Sequence, residues 1–173
     1  MNLALCLYLV AVLNKPYNAQ ASVDVESLLI TGNHVTNHTN DKKELEPSLD
    51  KVNSLPESIG MLNKVAADSG YASASNQDIA KKLNVDLHLP KGREKHNSFL
   101  QKHIDNQDSG DIEKERQKFY SLRKSKIEPI FGVIKSVIGF RQFSLRGIDK
   151  ASKEWNLVCI AYKFKASLHP KFN

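Results

Sequence analysis

The segment from Lys64 to Leu89 constrains the fold more than any other part of the chain. Val65, Ala66 and Ala67 form a short apolar strand that ends at Asp68, and Ser69-Gly70 marks a turn. Ser75–Leu83 has helical spacing, with Ser75 or Asn76 as its cap and Ile79 and Leu83 facing inward. Val85–Leu89, VDLHL, alternates like a strand and stops at Pro90. Strand, helix and strand in that order predict a β-α-β unit, hence a parallel pair and an α/β sheet. Asp68 then stands at the carboxyl end of a strand, where such sheets place ligand groups. The competing reading is a turn-forming Asp ahead of Gly, which is common.

Upstream, residues 3–13, LALCLYLVAVL, are an uncharged apolar run. Its Tyr8, Val10 and Val12 suit a buried strand. It also resembles the hydrophobic part of a signal peptide, with Ala19-Gln20-Ala21 as a small-residue cleavage pattern, although no Lys or Arg precedes it. Eleven residues are too few to span a membrane. NAQASVDV (18–25) and LLITGNHV (28–35) predict two strands joined by a tight turn near Glu26-Ser27. Asp41 with Glu44 has the form of a capping box, and Leu45, Leu49 and Val52 continue at helical spacing, with Pro47 delaying or kinking that helix. Asp41 is therefore expected to be a helix cap rather than a catalytic acid. His34 and His38 have a four-residue spacing used in metal sites, but their surroundings, GNHVTNHTN, predict a solvated loop.

Downstream, residues 91–110 are polar and poorly periodic, which predicts a mobile loop or insertion. From Asp111 the chain is expected to be mostly helical until about Ser167, with an interruption at Gly139-Phe140-Arg141 and Trp155 in the core. Within YSLRKSKIEPIFGVIK (120–135), Glu128 is one carboxylate among Arg123, Lys124, Lys126 and Lys135. On a helix Lys124, Glu128 and Lys135 share a face, and Ile127, Ile130, Phe131 and Ile134 supply the packing side. Such a segment suits an acid that holds a metal ion beside a polyanion, and equally an ordinary surface helix with paired charges. Residues 1–90 hold 7 Lys+Arg against 10 Asp+Glu, whereas residues 91–173 hold 18 against 9. A basic half points to an anionic partner, with nucleic acid the default. Two distant cysteines, Cys6 and Cys159, exclude a disulfide framework and a cysteine zinc site, and fit a reducing compartment.

Taken in order, several segments resemble the catalytic domain of DDE transposases from bacterial insertion sequences. KVAADSGY (64–71) resembles the segment that bears the second acid of that family. RKSKIEPIFGVIKSVIGFRQFSLRG (123–147) and KEWNLVCIAYKFK (153–165) resemble the segment bearing the third acid and the helix after it. PYNAQASVD (16–24) and VTNHTNDKKELEPSL (35–49) resemble what precedes the second acid. The family has a Tyr-Arg-Glu-Lys signature with two, three and six intervening residues. Tyr120 to Arg123 and Glu128 to Lys135 keep the first and last spacings, but four residues separate Arg123 from Glu128, and Lys124 stands where the Arg would be.

The resemblance implies an α/β, ribonuclease-H-like mixed sheet flanked by helices, with a helical C-terminal part. It implies Asp68 and Glu128 as catalytic carboxylates and ligands of Mg²⁺ or Mn²⁺, two ions in the complete family site, for in-line displacement at phosphorus. Tyr120, Arg123, Lys124, Lys135, Arg141 and Arg146 are the implied DNA-contacting residues. The implied partners are transposon ends and target DNA, with a homodimer or a complex with full-length transposase, in the bacterial cytoplasm at the nucleoid. The first catalytic Asp belongs on the central first strand, yet no acidic residue precedes Asp24. The expectation is a domain lacking its native first strand, with residues 1–15 as an apolar segment, 16–167 as a partial catalytic domain and 168–173 as a tail. Leu3–Leu13 is then a candidate to fill the vacant central slot. Three functions follow: a catalytically incomplete transposase fragment, a non-catalytic DNA-binding protein competing with full-length transposase at transposon ends, and, if the N-terminus is cleaved, a small secreted protein.

Overall fold

The structure, a computed structural model, describes residues 4–14, 17–89 and 127–168, together with Lys114, Ser121 and Ser125. The expected loop at 91–110 and the candidates Tyr120, Arg123 and Lys124 lie outside the described residues.

Among the described residues, five strands form one mixed sheet: β1 (Ala4–Asn14), β2 (Tyr17–Asp24), β3 (Ile30–Thr36), β4 (Met61–Ala67) and β5 (Asp86–His88), in the spatial order β3-β2-β1-β4-β5. The apolar run read upstream is the central strand. β1 pairs antiparallel with β2 and parallel with β4, and β4 pairs parallel with β5. The hairpin between β2 and β3 closes through Asp24, whose carboxylate accepts from the backbone N–H (2.8 Å) and hydroxyl (2.6 Å) of Ser27. Asp24 is thus committed to a turn.

Among the described residues, four helices flank the sheet: α1 (Leu45–Asn53), α2 (Ala74–Lys82), α3 (Glu128–Ser136) and α4 (Ile148–Ser167). Strand alternation divides their partners between the two faces. Val65 and Ala67 share one core with Leu45, Leu49 and Val52 of α1, and with Tyr71 and Val85. Ala66, pointing oppositely, shares the other with Ile127, Ile130, Phe131 and Ile134 around α3, and with Trp155, Val158 and Cys159 of α4. Trp155 is fully buried and donates its indole N–H to the backbone carbonyl of Gln20 at 2.9 Å, which ties α4 to β2. Pro47 is the third residue of α1, where its missing N–H costs no intrahelical bond. The helix of the β-α-β unit starts one residue earlier than its spacing predicted, and its cap is Ser73 rather than Ser75 or Asn76: the Ser73 hydroxyl accepts from the Asn76 N–H.

Candidate functional site

Asp68 follows the last residue of β4 with extended backbone (φ −74°, ψ 166°), so alternation carries it to the Ala66 side of the sheet. It caps a short three-ten turn, Ser69–Tyr71, its Oδ1 accepting from the Ser69 N–H at 2.7 Å. That turn is anchored from two directions. The buried Tyr71 hydroxyl donates to Oε1 of Gln20, and its backbone carbonyl accepts from Asn76 Nδ2 at 2.7 Å. Gln20 belongs to a polar strip on β2, Asn18, Gln20 and Ser22, each at most 2% exposed. Burying such groups is costly unless they are paired. Here the pairing is through Asp41, whose Oδ1 accepts from Asn18 Nδ2 (2.7 Å) and Gln20 Nε2 (2.9 Å), while Asn18 Oδ1 accepts from Gln20 Nε2 at 3.0 Å.

Asp41 is therefore not the helix cap that its spacing predicted. Asn40 caps the three-ten turn Asp41–Lys43 instead, and the Asp41 carboxylate faces the strand. Its Oδ2 lies against Gly70, where an added Cβ would stand only 2.8 Å away. A glycine at position 70 is what lets the Asp68 turn close over this carboxylate.

The histidine reading also needs correction. His34 lies within β3, and His34 Nε2 and His38 Nδ1 meet the two oxygens of Glu44 at 2.8 Å and 2.6 Å. Glu44 is buried, with a side chain 3% exposed. His38 does lie in an exposed loop, its side chain 55% exposed, whereas His34 belongs to the strand; together they clamp a buried carboxylate at the start of α1.

Glu128 is the first residue of α3, directly after Ile127, and is exposed. Winding of π type at Ser125 and Ile127 leads into it, and Pro129 follows, a residue without the N–H a regular turn would use. Ile127 and Ala66 share one core, so Glu128 and Asp68 each adjoin a residue on the same side of the sheet. An acid in the first helical turn is favoured by the helix dipole, as is Lys135 in the last. Lys135, Arg141 and Arg146 are exposed.

The central strand supplies no third acid. Its sequence, ALCLYLVAVLN, has no carboxylate, and since Leu9 pairs with Ala67, Val10 is the residue level with Asp68. Among the described residues no group of three or more His, Cys, Asp or Glu side chains is arranged to hold a metal ion. The described residues thus do not furnish the three-carboxylate donor set of a paired-metal site. No helix among the described residues is long and apolar enough to cross a membrane.

Comparison with known families fits this geometry. A family model described as "Transposase DDE domain" matches residues 14–164. The chain belongs to that family, whose substrate is DNA and whose members generally use divalent metal ions. No curated protein matches the chain. Sequence reasoning read Asp41 as a helix cap and missed Asn18 and Gln20 altogether. Their one local signal was two amide side chains alternating with small apolar residues in a strand, YNAQA.

Proposed function

We propose that this chain is a catalytic domain of the insertion-sequence transposase type, with Asp68 and Glu128 as its second and third acids and a vacant first position. The observation that carries the reading is the register. Asp68 directly follows a strand parallel to the central strand; that strand's Ala67 pairs with Leu9, and the next residue along the central strand is Val10 rather than an acid. The strand order, antiparallel on one side of β1 and parallel on the other, supports the ribonuclease-H-like assignment. Lys135, Arg141 and Arg146, with Tyr120, Arg123 and Lys124, are the proposed DNA contacts, acting on phosphates and hence without sequence preference.

With two of three acids, this domain binds DNA but does not by itself cleave it. A second reading, a non-catalytic protein that competes with full-length transposase at transposon ends, is favoured by the basic second half of the chain, which needs no metal to bind a polyanion. Both are tested together by an electrophoretic shift and a cleavage assay on transposon-end duplex with Mg²⁺. The expected result is a shift that Glu128→Gln leaves intact, with no cleavage. Robust Mg²⁺-dependent cleavage by the purified chain would overturn the vacancy, and absence of any shift would overturn DNA binding.

A further inference from the structure

The loop between α3 and α4 is built differently from an ordinary connection. It runs from Gly139 to Gly147, both with positive φ (80° and 93°), conformations that glycine adopts without penalty. Phe140 is buried against Trp155 (ring centroids 5.5 Å apart) and meets Phe143 edge-on at 5.1 Å. Phe143 in turn meets Tyr17 edge-on at 5.4 Å. The backbone is held as firmly as the rings. Both oxygens of Glu154, on α4, accept from the Ser144 N–H (2.9 and 3.1 Å), and Oε2 also accepts from the Leu145 N–H (3.0 Å). The Gly147 N–H donates to the Tyr17 hydroxyl at 2.6 Å. With positions 140 and 143 turned inward, Arg141 and Arg146 are exposed.

Glu154 is one of three acids, with Glu128 and Asp149, in a basic stretch: residues 127 to 168 also hold Lys135, Arg141, Arg146, Lys150, Lys153, Lys163 and Lys165. For a surface meeting a polyanion, long-range electrostatics alone disfavours a carboxylate there. Its hydrogen bonds give it a different use, since both oxygens are occupied by the loop backbone that carries the arginines.

We propose that the Gly139–Gly147 loop is a preorganised phosphate-contacting element, and that Glu154 is its positioning residue, strengthening DNA binding despite its negative charge. The proposal rests on the DNA-binding reading above and names the part of the surface that does the binding. Preorganisation lowers the ordering cost paid when a flexible loop engages its ligand.

The opposed signs make a clean test. Removal of the Glu154 charge should tighten DNA binding if only net charge matters, and weaken it if the carboxylate positions the loop. The measurement is fluorescence anisotropy with a short labelled DNA duplex of arbitrary sequence, over a salt series, for the full chain and Glu154→Gln. The expected result is a weakening of roughly 3- to 10-fold, with the slope of log affinity against log salt shallower by about 1 to 2, since each phosphate that is no longer neutralised lowers the slope by about 0.9. In an Arg141→Ala, Arg146→Ala background the same substitution should weaken binding no further. Equal or tighter binding by Glu154→Gln overturns the proposal, and so does an equal weakening in the arginine-free background, which would mark a general effect on folding. Tyr17→Phe, which removes the acceptor of the Gly147 N–H without changing charge, provides the second arm if Glu154→Gln does not fold, and should weaken binding only when the arginines are present. If the arginine-free chain binds like the parent, the loop is not a contact element and the proposal fails. If the parent binds no DNA at all, the functional reading itself fails, a result distinct from the others.

Discussion

Gly70→Ala offers a direct measure of how tightly the Asp68 turn is held. A Cβ at position 70 would lie 2.8 Å from Asp41 Oδ2, whereas the Asp41 Cβ and Cγ stand at 3.6 Å, an ordinary contact. The carboxylate must therefore retreat by about 0.5 Å or the turn must lift, and van der Waals packing tolerates neither cheaply. Retreat is opposed by the hydrogen bonds from Asn18 Nδ2 (2.7 Å) and Gln20 Nε2 (2.9 Å) to the other oxygen. Bonds to a charged group are worth about 1.5–3 kcal/mol each, and partial loss of two, with the overpacking strain, gives a gross cost of about 2–3 kcal/mol. The position does not have a positive φ, so alanine also restricts the unfolded chain and returns about 0.4–1 kcal/mol. The net expectation is a loss of about 1–2.5 kcal/mol in urea-induced unfolding. On an Asp41→Ala background the clash is gone, and the same substitution should be neutral or slightly stabilising, for a coupling of about 2 kcal/mol in the double-mutant cycle. Additivity of the two substitutions within about 0.5 kcal/mol would refute the reasoning, because it would mean that the carboxylate and the turn do not touch.

Three further outcomes concern the core. Trp155→Phe should cost about 1–3 kcal/mol in urea unfolding, because it empties part of a fully buried site and leaves the Gln20 carbonyl without its indole donor; a change below about 0.5 kcal/mol would show that α4 does not depend on this anchor. Burial pushes the Cys159 thiol up to about 12 from an ordinary value of 9.0, with Lys163 pulling it back, and burial likewise pushes the Tyr162 hydroxyl, which donates to the Leu28 carbonyl, up to about 12. Each folded-state value is raised, so the stabilisation is complete below the unfolded value and is lost as pH climbs towards 12. Stability should fall from about pH 9 upwards, by at most about 1.4 kcal/mol per pH unit for Cys159. In a Cys6→Ala background the native thiol should resist a disulfide reagent at pH 8 and react fully in denaturant.

Much of the architecture was legible because it follows from local periodicity. The β-α-β unit at Lys64–Leu89, the hairpin from Asn18 to Val35, the burial of Trp155 and the break at Gly139 all reflect patterns within a window of about ten residues. The role of Asp41 was not, and for a physical reason. Its spacing to Glu44 satisfies a local capping rule, but its actual donors are 23 and 21 residues away on β2, and the tyrosine completing the network is 51 residues from Gln20. Glu44 was misassigned although its partners are near in sequence, His34 ten and His38 six residues away: the chain must turn after β3 to bring both rings onto one carboxylate. Of the candidate site, Asp68 at a strand end could be read from sequence, as could Glu128 at a helical discontinuity next to Pro129. That the central strand offers Val10 opposite Asp68 could not, since it depends on the β1–β4 register.

That register permits the most direct measurement of the central claim. In a parallel pair, residues at the same level project to the same face, so Val10→Asp should place a carboxylate beside Asp68. Mn²⁺ binding by calorimetry is compared for the parent, Val10→Asp and the neutral Val10→Asn, with circular dichroism confirming the fold of each. A domain with a vacant first acid predicts weak Mn²⁺ binding by the parent and by Val10→Asn, at least tenfold tighter binding by Val10→Asp, and disappearance of that improvement when Asp68→Asn is added. Tight binding by the parent, or equal binding by the Asp and Asn variants in folded protein, would contradict the assignment of Asp68 and the empty position beside it.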